Sequence, residues 1–324
     1  MSKQQVKAKL LDTLLSDVIL PPLPADLPEG VAASSVLDHN VAVRQLLAGA
    51  TCIEASNVAR YFDENYIGTG RDGQAWQNDL KCLVPPHGKF FVEWERPNIP
   101  GATRMGVLFV ACAPLEAARV ACAIFAEAGI QSTLEKIARF RANVRSKWIY
   151  ITVDFLEFFP AEGYGSRLRG PFHVGATSVA EDGEVLDYWF QIGSGIDREE
   201  SLQVAAASLV GWTALAMMNC QNIVTDEHRA PDAFQKARKR NGKRPFVSFR
   251  TIRVDLDKTP RHIAAESLPG DGSTPRRHKK RGHMKDYRRG SGLFGRYKGV
   301  WYWGPTLAGS EETGVVVSDY QVNP

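Results

Sequence analysis

The sequence lacks the patterns that mark exported and membrane-spanning proteins. Its first 20 residues carry scattered charges and no small-residue cleavage site after an apolar run, so they predict an amphipathic helix. The most apolar stretch, Leu202 to Met218, contains Gln203 and is shorter than the roughly 20 uninterrupted residues of a membrane span. We therefore expect a buried core helix there, no membrane partner and a cytoplasmic location.

Paired cysteines and the common catalytic signatures are also missing. The five cysteines are dispersed, odd in number and free of any CxxC pair, which predicts reduced structural thiols rather than disulfides or a zinc site. No GxSxG, HExxH, P-loop or dinucleotide-binding motif occurs. The sequence thus predicts no metal and no cofactor, and leaves open whether the protein is an enzyme.

What the chain does have is an uneven distribution of charge. Residues 229–298 hold 21 Lys or Arg against 6 Asp or Glu, a balance of +15, whereas the other 254 residues hold 19 against 30, a balance of −11. A basic segment on an acidic body usually marks an anionic partner, most often nucleic acid. A solvated basic loop would give the same count.

The pattern of apolar residues predicts an α+β fold, with helices mostly early and antiparallel sheet in the middle and at the C-terminus. We expect an N-terminal helix and Pro-rich link at 1–30, an acidic α+β body at 31–228 and a basic C-terminal sheet region at 229–324, which could be continuous with the body. Asp182-Gly183 lies between two alternating runs and predicts a hairpin.

Several further elements follow from the same reasoning. Helical spacing runs through residues 40–66, and residues 115–145 predict two helices or one kinked helix. A basic helix is expected to end at Asn241-Gly242. Glu93 and Glu95 share one parity of a predicted strand and are interpreted as exposed residues. The run from Asp226 to His228 is interpreted as capping or salt-bridging residues.

The segment RRHKKRGHMKDYRR, residues 276–289, carries the chemistry. If it is extended, His283 shares a face with Arg281, Lys285 and Tyr287, whereas His278 lies on the opposite face unless a bulge at Gly282 re-aims it. Imidazole moves protons, guanidinium or ammonium holds phosphate, and a phenol donates or stacks. The candidate catalytic residues are therefore His283, Arg281 and Tyr287, with His278.

The same segment and the loop after it supply the candidate phosphate contacts. A metal site is disfavoured because HxxxxH has no third ligand of obvious spacing. RNA or single-stranded DNA is the expected partner, and most Arg-rich strands that carry a histidine only bind backbone phosphate. The predicted binding residues are Arg277, Lys279, Lys280, Lys285, Arg288, Arg289, Arg296 and Lys298.

Aromatic residues follow the basic run. On a strand, Trp301 and Trp303 share a face opposite Tyr302, so at least one of these faces is expected to pack in the core. Exposed rings beside Lys and Arg hold single-stranded nucleic acid in many proteins, and the other use is core packing. Phe294 and Tyr297 lie in a glycine-framed loop whose backbone could approach a phosphate.

The C-terminal pattern resembles a group of largely uncharacterised phage and prophage proteins. It comprises His-x-x-Arg-Gly-His at 278–283, a Tyr soon after, Leu-Phe-Gly at 293–295, Gly-x-x-Tyr-Trp at 299–303 and Gly-Val-Val-x-x-Asp-Tyr at 314–320. The resemblance covers roughly the last 80 residues. It implies a phage or mobile-element origin and an intracellular setting, without an activity.

A second resemblance, of architecture, is to toxin ribonucleases of the RelE type, which hold and cut RNA on basic strands without metal. The sequence therefore predicts an intracellular nucleic-acid-binding protein of phage type, with metal-independent ribonuclease activity through His283 as an extension. The alternative is a non-catalytic phage protein that docks on a host protein through the same basic aromatic surface.

Overall fold

The protein is built around a nine-stranded mixed sheet. The computed structural model describes residues 9–15, 43–65, 80, 82–97, 99, 101–124, 130–158, 167–169, 173–192, 198–255, 257–258, 276–280, 282–304, 306–308 and 310–315. The strand order is β7-β6-β4-β3-β2-β1-β9-β8, and β5 pairs with the end of β4. The strands are β1 (Thr51–Glu54), β2 (Lys89–Glu95), β3 (Ala102–Cys112), β4 (Ser146–Phe158), β5 (Arg167–Arg169), β6 (His173–Ala180), β7 (Val185–Ile192), β8 (Ile223–His228) and β9 (Phe249–Val254).

Helices cover both faces of this sheet. The core cluster that contains residues of α1, α2, α4 and α5 lies on one face, and the cluster that contains residues of α3 and α6 lies on the other. We call these the first and the second face. The helices are α1 (Leu10–Leu15), α2 (residues 43–48), α3 (Ser56–Asn65), α4 (Ala117–Ile124), α5 (Ile130–Ala142), α6 (Arg198–Met218) and α7 (Asp232–Arg240).

Strand β3 explains why the sheet needs cover on both sides. Its side chains alternate between the two core clusters, with Leu108 and Val110 on the first face and Val107 and Phe109 on the second. A strand that buries both of its faces reads as a continuous apolar run. On the second face, the ring of Trp212 in α6 packs edge-on against that of Phe109, with centroids 4.9 Å apart.

The α+β prediction is confirmed, as are its clearest local elements. Asp182-Gly183 forms the turn between β6 and β7, where Gly183 has a φ of 86° that glycine adopts without strain. Residues 115–145 contain two helices, and α6 is the expected long core helix. The basic helix ends at Asn241, just before Gly242 with a φ of 66°.

One expectation for the body was wrong, and one feature of the sheet was not predicted. The helical spacing of residues 40–66 predicted no strand there, but this range contains strand β1. The strand ends at Glu54, whose carboxylate accepts the backbone N–H of Ser56 at 3.1 Å as α3 begins. The sheet is also not wholly antiparallel, since β1 runs parallel to both β2 and β9. Short strands between helices carry too few residues for their period of two to stand out from the helical pattern.

Glu93 was expected to be exposed and is instead buried, at 3% relative exposure. Its carboxylate accepts the backbone N–H of Leu11 at 3.0 Å, which anchors the short helix α1 to the first face of the sheet. Burial raises the pKa of Glu93, opposed by the backbone hydrogen bonds from Leu11 and Leu10 and by the charges of Lys9 and Arg104. This carboxylate is therefore part of the core.

The cysteines are all unpaired, as the sequence indicates. Four are buried and Cys122 is exposed. Burial raises the pKa of both Cys112 and Cys220 to about 12, so these thiols stay protonated near neutral pH. None of the helices in the described ranges is both long and apolar enough to cross a membrane.

Five further strands lie near the C-terminus. Strand β10 pairs antiparallel with β13 and parallel with β14, and β11 pairs antiparallel with β12. Strand β9 of the main sheet also comes from the C-terminal third of the chain, between β1 and β8. The five strands are β10 (Arg276–Lys280), β11 (His283–Asp286), β12 (Val300–Trp303), β13 (Thr306–Ala308) and β14 (Ser310–Val315).

Candidate nucleic-acid interface

The candidate site is built on β11, β12 and the loop 287–299 between them, which we call the C-terminal hairpin. Its register places His283 opposite Trp303, Met284 opposite Tyr302, Lys285 opposite Trp301 and Asp286 opposite Val300. Because side chains alternate along a strand, residues directly opposite each other share a face. The hairpin thus has an outer face with His283, Lys285 and the two tryptophans, and an inner face with Met284 and Tyr302.

The inner face packs into the core of the body. Met284, Val300 and Tyr302 are at most 6% exposed and belong to the core cluster on the second face of the sheet. The fully buried Asn222 side chain donates to the carbonyl of Tyr302 at 2.7 Å and accepts its N–H at 3.0 Å. An amide side chain therefore satisfies both backbone groups of Tyr302 on a strand edge that would otherwise be buried unpaired.

Gly282 allows the hairpin to approach α3 closely. The Tyr61 hydroxyl donates to the carbonyl of Gly282 at 3.0 Å, and the rings of Tyr61 and Tyr302 meet edge to face at 5.5 Å. A Cβ at Gly282 would lie 2.7 Å from a carbon of the Tyr61 ring and 2.9 Å from the Tyr302 hydroxyl. Glycine is required here because no larger side chain fits without displacing these two rings.

The extended segment predicted over 276–289 contains two strands, because β10 ends at Lys280, β11 begins at His283, and the two belong to different sheets. The register nevertheless does not change between the two strands. His278 pairs with Ala308 and His283 with Trp303, so five residues separate the two pairs on each strand.

The outer face combines an imidazole and an ammonium group with two indoles. His283 is half-buried, Lys285 is exposed, and Trp301 is buried at 7% exposure with its ring edge-on to Tyr297 at 5.9 Å. Nε1 of Trp301 and of Trp303 are buried without a hydrogen-bond partner in the described part of the chain. An unpaired buried donor costs about 1–3 kcal/mol, so this face carries unsatisfied polar groups.

Within the loop, Arg288 serves the fold. Its guanidinium binds the Asp286 carboxylate through two bonds, Nε to Oδ1 at 3.0 Å and Nη2 to Oδ2 at 2.7 Å. The same group donates to the carbonyl of Asp182 in the β6–β7 turn. The hydrogen bond from Arg288 lowers the pKa of Asp286 below its ordinary value. This predicted phosphate contact thus joins the hairpin to the body.

Four other predicted contacts are exposed. Arg289 keeps 89% of its side chain accessible, although one nitrogen lies 3.6 Å from an Asp182 carboxylate oxygen. The guanidinium of Arg296 lies over the Tyr297 ring at 4.8 Å, and Phe294, which stands between Arg289 and Arg296 in the sequence, is 45% exposed. Together these residues form a basic, partly aromatic outer surface. The four exposed cations of the hairpin are Lys285, Arg289, Arg296 and Lys298.

The remaining predicted residues are placed only in part. Strand β10 contains Arg277, His278, Lys279 and Lys280, and their side chains lie outside the described part, as does Arg281. The register of β11 confirms that His283 and Lys285 share a face. Tyr287 continues that ladder, since its N–H donates to the carbonyl of Gly299 at 2.8 Å.

Residues 226–228 behave as expected, and one partner of this group was not foreseen. Asp226 pairs with Arg253 at 2.8 Å, and the His228 ring meets the Thr251 hydroxyl at 2.8 Å. Arg250, which lies 4.0 Å from a Glu227 carboxylate oxygen, also donates to Nε2 of His87 at 3.1 Å. Burial and the charge of Arg250 lower the pKa of His87. No sequence pattern signals a contact between residues 163 positions apart.

The sequence treated residues 229–298 as one basic segment, and the structure separates it into two regions. Residues 229–248, which connect β8 to β9 and include α7, form the first, which we call the α7 projection. The second begins at β10, after β9 has returned to the main sheet. Only the second belongs to the predicted site, so part of the basic charge lies elsewhere.

Comparisons with known proteins leave the site to be interpreted from its own chemistry. No family model, no curated protein and no solved structure matches the chain. Over the described ranges, no group of three or more His, Cys, Asp or Glu side chains is close enough to hold a metal ion.

Proposed function

We propose that the protein binds RNA or single-stranded DNA through the outer surface of the C-terminal hairpin. The observation that carries this proposal is the combination of four exposed cations with the exposed ring of Phe294 on a hairpin whose other face is fixed in the core. Phosphates are held by the cations and bases stack on exposed rings in this class of interaction. The net acidic body directs a polyanion towards the basic surface.

The test is equilibrium binding of labelled 20-nucleotide RNA and DNA single strands at several salt concentrations. Each phosphate contact contributes a slope of about −0.7 in log K against log salt, so a steep loss of affinity is expected. Changing Lys285, Arg289, Arg296 and Lys298 to Gln should flatten the slope by up to about 2.8. Absent or salt-insensitive binding by the parent protein contradicts the proposal.

A metal-independent ribonuclease is the catalytic extension of this proposal. The shared face of His283 and Lys285 supports it, because an imidazole beside an ammonium can move a proton next to a bound phosphate. His283→Ala should abolish cleavage of labelled RNA in chelator, whereas Lys279→Ala should mainly weaken binding. Equal cleavage by His283→Ala and the parent, or no cleavage by either, removes the extension.

The resemblance of the C-terminal pattern to phage proteins supports a place of action inside a host cell. The competing function is docking on a host protein through the same surface. Affinity capture from bacterial lysate, with and without nuclease treatment, separates the two. A partner that is lost on nuclease treatment supports nucleic-acid binding, and one that remains bound supports host-protein docking.

A further inference from the structure

We propose that the α7 projection is a second nucleic-acid contact, separate from the C-terminal hairpin. This inference rests on the proposed function and adds a surface that the predicted site does not include. Residues 229–248 hold seven Lys or Arg and one Asp, an excess of basic charge on a connection of only 20 residues. The described structure shows how little of this charge the fold itself uses.

The helix of the projection does not pack into the core. None of the residues of α7 is buried, which is unusual for a helix in a globular protein because helices are normally stabilised by a buried face. Its base is fixed locally: Gln235 exchanges two hydrogen bonds with the backbone of Phe246, at 3.0 and 2.8 Å. The projection is thus held at its base and presents its helix to solvent.

Part of the charge has a structural role. The Arg238 guanidinium lies 3.9 Å from the centre of the Phe246 ring and donates to the carbonyl of Arg244 at 2.7 Å. Basic side chains in the last turn also favour the helix dipole, which accounts for some of the basic bias there. Arg229 lies 3.9 Å from an Asp232 carboxylate oxygen. Arg229, Arg238 and Arg244 are therefore set aside as contacts with a ligand.

Four cations remain, and the only role of any of them in the described part of the fold is the weak interaction of Lys239 and Arg240 with the helix dipole. They are exposed, and within the described ranges none of them makes an ion pair or a side-chain hydrogen bond. Repulsion between unpaired like charges costs stability unless an anionic ligand neutralises them, so their grouping points to a polyanion. The four are Lys236, Lys239, Arg240 and Lys243.

The chemistry favours nucleic acid over an acidic protein. Phe234 on the same helix is 51% exposed, so the projection offers an open ring on the helix face opposite Lys236, Lys239 and Arg240. An acidic protein surface is satisfied by the cations alone, whereas a single strand also offers bases that stack on such a ring. The combination of an open aromatic ring with unpaired Lys and Arg is therefore best matched by single-stranded RNA or DNA.

The projection and the hairpin lie at opposite ends of the β8–β9 pair. Asn222 and Gln221, which hold the hairpin, precede β8, whereas α7 follows its last residue, His228. Six residues of strand separate the two ends by about 17 Å at roughly 3.4 Å per step. The two basic regions are thus separate contacts.

The experiment compares three variants of the full chain, each with four cations changed to Gln. The first changes Lys236, Lys239, Arg240 and Lys243 in the projection, and the second changes Lys285, Arg289, Arg296 and Lys298 in the hairpin. The third is a control of equal net charge that changes Arg119, Arg139, Arg141 and Lys147, which are exposed on the body. Probes are 20-nucleotide poly(U) RNA, the matching DNA strand and polyglutamate of equal charge.

The projection variant should lose tenfold or more in affinity for both nucleic acids and up to about 2.8 in salt slope, while the control keeps both values. Phe234→Ala should weaken single-strand binding roughly five- to 100-fold, with Phe234→Leu as its packing control. Binding by the projection variant that equals that of the control overturns the inference.

Two outcomes separate this inference from the proposed function. If the parent protein binds neither nucleic acid, the proposed function and the inference fail together. If the hairpin variant binds poorly and the projection variant binds as the parent does, the proposed function stands and this inference alone fails. If polyglutamate binds the projection as tightly as RNA and Phe234→Ala has no effect, the partner is an acidic protein and the inference is wrong.

Discussion

The α7 projection and the C-terminal hairpin are alike in composition and differ in how they are attached to the protein. Both combine several Lys or Arg with an exposed phenylalanine, Phe234 in one and Phe294 in the other. The projection buries no residue of its helix, whereas the hairpin places Met284, Val300 and Tyr302 in the core. Changes to the basic residues of the projection should thus leave the stability of the fold unaffected, whereas some changes in the hairpin should also affect its packing in the core.

The largest expected contrast is in stability. Tyr302→Ala removes a buried ring that meets Tyr61 edge to face, and should lower the free energy of unfolding by about 3–4 kcal/mol. Phe234→Ala removes a ring that is 51% exposed and should change the free energy of unfolding by less than about 0.5 kcal/mol. Urea unfolding measures both, and equal losses would contradict the contrast between the two regions.

A smaller loss of stability is expected when a glycine is substituted at the end of the β11–β12 pairing, where Gly282 and Gly304 lie. Gly282→Ala forces a Cβ against Tyr61 and the Tyr302 hydroxyl, and should cost about 1–3 kcal/mol. Gly304 has open space where its Cβ would lie, so Gly304→Ala should be neutral or slightly stabilising. Equal melting temperatures for the two variants would show that Gly282 is not needed for the close approach to α3.

Two adjacent arginines sharpen the distinction within the hairpin itself. Arg288→Gln breaks the two bonds to Asp286 and should cost about 1–2 kcal/mol, while Arg289→Gln should leave stability unchanged because that side chain is 89% exposed. Arg289→Gln should instead weaken nucleic-acid binding. Thermal unfolding and binding measured on both variants test this separation of roles.

The ion pair between Arg288 and Asp286 makes the stability of the fold depend on pH in a definite direction. Arg288 lowers the pKa of Asp286 in the folded protein, so the stabilisation is complete above the ordinary carboxyl pKa and is lost as the pH falls through the lowered value. Arg288→Gln should therefore be less sensitive to acid than the parent over that range. Urea midpoints across the acidic range measure it, and parallel profiles would contradict the assignment.

The smallest effect is expected at the base of the projection. Asp12 in α1 accepts the N–H of Val247 at 2.8 Å, and burial raises its pKa in spite of that hydrogen bond. A raised carboxyl pKa makes the folded state weaker as the pH rises from the ordinary value through the raised one. Asp12→Asn keeps an acceptor and should remove this decline in urea midpoint. An unchanged pH profile would show that Asp12 is not responsible for it.

Much of the local structure could be predicted because it depends on neighbouring residues. The β6–β7 turn follows from Asp182-Gly183, the end of α7 from Asn241-Gly242, and the shared face of His283 and Lys285 from strand geometry. The burial of Glu93 could not be predicted, because it is produced by α1, whose Leu11 is 82 positions away. A charged residue on an alternating strand is read as exposed unless its distant partner is known.

The sequence by itself determined the α+β class, the positions of most helices and turns, and the presence of a strongly basic region in an otherwise acidic chain, since all three depend on composition and short-range pattern. Only the tertiary structure decided that the basic region is divided in two. Strand β9 inserts between β1 and β8 and returns the chain to the main sheet between the two halves. Pairing between distant strands, which local pattern does not encode, thereby separates the α7 projection from the C-terminal hairpin.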